Sequence, residues 1–129
     1  MTMAKRKLKL HFRIPRYVAP RNHWRLLIYK AARTEIEARH VVYKPDDRLA
    51  VSFLLYLDGS ALNIHDVDNR LKDVLDALQG RMGGPKSVRQ YEPLIPNDKQ
   101  ISTVTVRKTL PPPQSHGLGH VTISRCAGA

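Results

Sequence analysis

Asp66 and Asp68 stand one residue apart where the chain enters a segment with an apolar stripe, Val67, Leu71, Val74, Leu75 and Leu78. If the pair is extended, its carboxylates point to the same side of the chain. Two converging oxygen ligands at the mouth of a helix suit magnesium. That ion takes one or two protein carboxylates, fills its octahedron with water and phosphate oxygens, and cancels the repulsion between the acids. Lys72 follows Asp68 by one helical turn, where an ammonium could touch a scissile phosphate or orient a water. A plainer reading competes: Asp68 is a helix N-cap, and Lys72 makes exposed pairs with Asp68 and Asp76 worth about 0.3 to 0.5 kcal/mol each. Capping accounts for one carboxylate and leaves Asp66 unexplained, so residue types alone leave both readings open.

The elements that must hold these residues can be read from periodicity. Leu8, Leu10, Phe12 and Ile14 alternate with Lys7, Lys9, His11 and Arg13, a strand with one buried and one basic face that ends at Pro15. Trp24, Leu27, Ile28 and Ala31 recur at helical spacing, predicting a helix over about residues 22–39. After the turn signals Pro45, Asp46 and Asp47, residues Leu49 to Leu57 are apolar at nearly every position, as in a central strand covered on both faces. A second helix starts near Asp68 and stops at Gly80. Residues 79–97 are rich in Gly and Pro, carry Arg81, Lys86 and Arg89, and read as a long basic loop. Ile101 to Thr109 and Gly119 to Cys126 return to β-rich composition, and their Pro-rich connection would join them as a closing hairpin. The expectation is one α+β domain over residues 1–129. It has a mixed sheet of about four strands with two helices on one side, in the order strand, helix, strand, helix, strand, strand.

Charge narrows the partner. Twenty-two Lys and Arg against 11 Asp and Glu give +11 at pH 7, which favours a polyanion such as nucleic acid or an anionic membrane surface. Asp66, Asp68, Asp73 and Asp76 nevertheless place four of the 11 acids in one short window. Carboxylates facing phosphates weaken binding unless a cation lies between them. Cys126 is the only cysteine and reads as inert, with no disulfide within the chain, and the six histidines show no zinc-ligand spacing. No apolar run of membrane-spanning length and no signal-like stretch is present, so a soluble, cytoplasmic protein is expected.

The stretch Asp66-Val-Asp-Asn-Arg-Leu-Lys72-Asp-Val-Leu-Asp76-Ala-Leu78 resembles the signature of the RusA family of Holliday-junction resolvases, D-x-D-N-x-x-K-x-x-x-D-A-L, at each specified position. Downstream, Asn97-Asp98-Lys-Gln-Ile101 resembles the second acidic motif of that family. The resemblance implies that Asp66, Asp68 and Asp98 bind magnesium, or manganese in its place, and that Lys72 is the essential basic residue. Asn69 would support the ligands, while Asp76, on the helix, is expected in a structural or ion-pairing role. It also implies a homodimer that resolves four-way junctions by paired nicks. The loop between Leu78 and Asp98 is longer and more basic than the family suggests, and Arg81, Lys86, Arg89 and Tyr91 are expected to contact the junction, with Tyr91 able to stack on an unpaired base. Two rivals suit the same size and charge: a nonenzymatic binder of structured RNA or DNA of the ribosome-associated type, and a general metal-dependent flap nuclease.

Overall fold

The computed structural model describes residues 8–56, 64–83, 90–114 and 117–126. Its elements run β1 (Leu10–Ile14), α1 (Arg21–Arg39), β2 (Leu49–Tyr56), α2 (Ile64–Leu78), a 3-10 turn (Asp98–Gln100), β3 (Ile101–Thr109) and β4 (Gly119–Arg125). The four strands form one mixed sheet in the order β1-β4-β2-β3. This is the α+β architecture that the alternating patterns predict.

The expected closing hairpin does not form. β4 instead inserts between β1 and β2, antiparallel to both, and β3 pairs in parallel with the far side of β2. β4, with Val121 and Ile123 fully buried, takes the central place, whereas β3 is an edge strand exposed along almost its whole length. Pro111, Pro112 and Pro113 also suit an extended crossing better than a tight two-residue turn. The parallel β2 and β3 pair then requires a crossover, and α2 supplies it.

β2 departs from expectation too. Leu49, Val51, Phe53 and Leu55 are buried beneath the helices, but Ala50, Ser52, Leu54 and Tyr56 alternate with them on a face that no helix among the described residues covers. The core therefore has one layer of strands and one of helices: Leu10, Phe12, Ile14, Val121 and Ile123 meet Trp24, Ile28 and Ala32 of α1 and Val74, Ala77 and Leu78 of α2. Among the described residues no helix is long and apolar enough to cross a membrane.

α1 and α2 are locked together by a carboxylate. Asp73 is fully buried, and its oxygens accept from Arg21 Nε, from Arg25 Nε at 3.0 Å and from Arg70 Nη1 at 3.3 Å. Arg25, itself buried, also reaches Asp76 at 3.1 Å. The Arg70 guanidinium lies over the Tyr17 ring at 4.1 Å and the Trp24 ring at 5.3 Å, so the cation side of the network is packed as well as paired. Removing one partner of a buried ion pair leaves the other charge stranded away from water. We therefore predict that Asp73→Ala lowers unfolding stability by roughly 3 to 5 kcal/mol in urea titrations. Glu37→Gln, in the exposed pair between Arg33 and Glu37 on α1, should leave the midpoint almost unmoved. Equal effects would show that the buried network does not hold the helices.

Candidate functional site

The motif that spans residues 66–78 lies on α2, and the helix begins earlier than its sequence suggests. Its first turn starts at Ile64, so Asp66 and Asp68 sit within the helix rather than on an extended approach to it. Positions two apart on a helix lie about 200° apart around the axis, so the backbone does not supply the convergence that an extended Asp-x-Asp would give. The side chains of Asp66 and Asp68 lie outside the described residues. Asp68 and Lys72 do share one face, a turn apart, and Lys72 and Asn69 are exposed. Asp76 is held by Arg25.

Asp98 opens the 3-10 turn before β3. Asn97 caps that turn: its Oδ1 accepts from Lys99 N at 2.9 Å, while Gln100 Oε1 accepts from Asn97 N at 2.9 Å. Gln100 also donates to the carbonyls of Lys44 and Asp47, at 2.8 and 2.9 Å, fastening the turn to the chain that leads into β2. Asp98 itself is exposed and makes no ion pair among the described residues.

These two parts of the candidate site occupy opposite ends of the sheet. Arg70, Leu71 and Val74 line a small space with Leu55, Ile14 and Leu118, which sets the N-terminal half of α2 over the end of β2. At its other end, the Leu78 carbonyl accepts from Leu94 N at 2.9 Å and Ile95 N at 3.2 Å, and Asp98 comes three residues later, where β2 begins. About 15 Å of helix separates Asp68 from Leu78. Among the described residues no three His, Cys, Asp or Glu side chains are grouped to hold a metal.

The basic loop has a defined neck. The Gly80 carbonyl accepts from both Gln90 N at 3.0 Å and Tyr91 N at 3.1 Å, and Gln90 Oε1 accepts from Met82 N at 2.9 Å. Gly80 has a positive φ of 78°, and a Cβ there would stand 2.1 Å from the Tyr91 carbonyl oxygen, so this position requires glycine. Arg81 is half-buried, with its Nε in no hydrogen bond among the described residues. Tyr91 is exposed, its ring tilted against Tyr29 at 5.1 Å. Lys86 and Arg89 lie outside the described residues.

Sequence reasoning missed the uncovered sheet face as a candidate surface. His11, Ser52, Leu54, Thr105, Arg107, His120 and Thr122 line a cleft there of about 280 Å³. The rings of His11 and His120 stack at 5.0 Å, Tyr56 meets His120 edge-on at 5.6 Å, and His11 Nδ1 lies 2.9 Å from Thr122 Oγ1. The strand registers put Arg13 on this face and no acidic residue there. The basic alternation of β1 signalled the face, but nothing local in the sequence says that β4 brings His120 beside His11.

No family model, curated protein or solved structure matches the chain. The resemblance to resolvases therefore rests on the motif residues themselves.

Burial depresses the pKa of His120 below its ordinary value, and the nearby His11 and Arg13 add to the effect. A histidine neutral in the fold loses stability when protonated. Its contribution is fully present above the unfolded value near pH 6.5 and is lost as pH falls through the lowered folded value. In an NMR titration the His120 ring should titrate below the ordinary histidine range, and His11→Ala should raise its midpoint. An unshifted His120 would contradict the packing on this face.

Proposed function

We propose that this protein is a magnesium-dependent endonuclease of branched DNA that resolves four-way junctions as a homodimer, in the manner of the RusA family. The observation that carries the reading is how the motif divides its charged residues. Asp73 and Asp76 are engaged by the arginines that join α1 to α2. Lys72 and Asp98 are exposed and, among the described residues, form no ion pair. Asp98 is nevertheless held on a doubly anchored turn. In a chain of net charge +11, an exposed carboxylate on a fixed turn, unpaired among the described residues, suits a cation better than a polyanion.

By the resemblance, Asp66, Asp68 and Asp98 are assigned to magnesium, with manganese as its substitute, since carboxylate oxygens are the donors that a hard cation takes. An ion bound there would lower the pKa of a coordinated water and stabilise charge on the phosphate. Lys72, one turn after Asp68, brings a positive charge to the same face of α2 and is assigned to the phosphate or the attacking water. Asn69 is assigned to supporting the ligands. The loop residues Arg81, Lys86, Arg89 and Tyr91, together with Arg13 and Arg107 of the uncovered sheet face, are assigned to the DNA arms.

A nonenzymatic binder of structured RNA or DNA is the second reading, favoured by the acid-free sheet face with its stacked rings. A flap nuclease would share the site and differ in substrate. Both are separated by incubating the protein with four-way, flap and linear DNA in magnesium or manganese. The expected result is paired nicking of the four-way junction. Asp68→Asn should retain junction binding while its cleavage falls to background. Nicking by that variant at the wild-type rate would reject the metal assignment, and binding without cleavage of any substrate would favour the binder.

A further inference from the structure

We infer that the sheet face away from the helices carries a nucleic-acid site of its own, in which Arg13, His11, His120 and Arg107 grip the phosphates of a single strand laid across the sheet. The inference extends the assignment of Arg13 and Arg107 to DNA made above. It rests on the affinity for nucleic acid in that reading and not on cleavage.

Strand register builds the site. Arg13 pairs with His120, His120 with Leu54 and Leu54 with Arg107, so one row crosses all four strands with a guanidinium at each end and an imidazole between. The two arginines spring from backbone positions three strand spacings apart, about 14 Å. The next row runs His11, Thr122, Ser52, Thr105 and sets hydroxyls on three adjacent strands beside a second imidazole. Both rows, Arg13 apart, line the cleft of about 280 Å³. Arg21, Arg25, Arg33, Arg39 and Arg70 are all paired with carboxylates, whereas Arg13 and Arg107 are exposed and form no ion pair among the described residues. Charge and hydrogen-bond donors with no acidic neighbour call for an anion.

The two histidines add a second support. His11 Nδ1 is engaged with Thr122 Oγ1, and His120 Nδ1 is buried with no hydrogen bond among the described residues, which leaves Nε2 of each ring to meet a ligand. Around His120 stand His11 and Arg13 from β1, Tyr56 from β2 and Arg107 from β3, with no carboxylate among the described residues. Positive neighbours and burial oppose a charge on this ring, and an anion in the cleft offsets that opposition. Anion binding and protonation of His120 therefore reinforce each other. Shape selects the strand type. The hydroxyls of Ser52, Thr105 and Thr122 are on short side chains at the sheet surface, within the cleft. A duplex holds its phosphates on a stiff cylinder too broad to enter, whereas a single strand can bend a nucleotide down to them.

The test is to titrate the histidine rings of the full chain by NMR with and without a short oligothymidylate, a strand that does not pair with itself, in the absence of divalent metal. The oligonucleotide should raise the His120 midpoint by about one unit, and its affinity measured by fluorescence anisotropy should then be about tenfold tighter below the histidine range than above it. His120→Gln should remove most of that pH dependence. Arg107→Ala should weaken binding at every pH and lower the salt slope by about one. A His120 midpoint unmoved by saturating oligonucleotide would overturn the site, and an equal rise with a duplex of the same length would overturn the single-strand assignment. If Arg107→Ala changes the sedimentation of the protein and leaves oligonucleotide affinity as it was, the face is a contact between copies and the inference fails. With no metal present, a chain that cuts no DNA can still pass every arm, so loss of the nuclease reading and loss of this site are read separately.

Discussion

A fully buried carboxylate in a protein of net charge +11 constrains everything around it. Asp73 draws Arg21 and Arg25 from one helix and Arg70 from its own, and Arg70 is in turn seated on Tyr17 and Trp24. A charge taken out of water must be satisfied on all sides, and hydrophobic contacts alone would tolerate small rotations of one helix against another. The arginines remove that tolerance. They fix the rotation of α2 about its own axis, which decides that Val74, Ala77 and Leu78 meet the sheet and that Asn69 and Lys72 face solvent. The chemistry assigned to this helix is thus indexed by an ion pair on the same helix.

The sheet order supplies the second constraint. With β4 seated centrally, the chain closes its core using residues far apart in sequence, and β3 is left outside it. The crossover through α2 makes β2 and β3 parallel, and it also sends the two acidic motifs to opposite ends. A helix running back along a strand parts the residues at its start from those at its finish, whatever their spacing in the sequence. Gln100, bonded to the carbonyls of Lys44 and Asp47, shows that the second motif belongs physically to the entry of β2.

Much of this is legible from residues. The alternation of Leu10, Phe12 and Ile14 identifies β1, and the recurrence of Trp24 and Ile28 identifies α1 to within a residue or so of its ends. What the sequence hides is non-local. The run LAVSFLLY looks covered on both faces because Leu54 and Tyr56 are apolar, yet they form part of an open face whose other members come from three other strands. Proximity in sequence suggests a closing hairpin, while β4 pairs with β1 and β2 through contacts far apart in sequence. Asp73 looks like any surface acid on a helix; the spacing of Arg21 and Arg25, one turn apart on α1, is the available signal. The motif identifies Asp66, Asp68, Lys72 and Asp98 by type, but a motif carries no record of which end of the sheet each reaches.

The Gly80 carbonyl does more than accept two hydrogen bonds. The chain departs from α2 and returns at Gln90 and Tyr91 to that single oxygen, with Met82 N donating to Gln90 Oε1 beside it. Loop-closure entropy grows only slowly with length. Insertions or replacements between residues 83 and 90 would therefore leave the helix, the sheet and the turn at Asp98 as they are. Selection could vary this segment without disturbing the scaffold, which makes it the natural place for relatives of the chain to diverge.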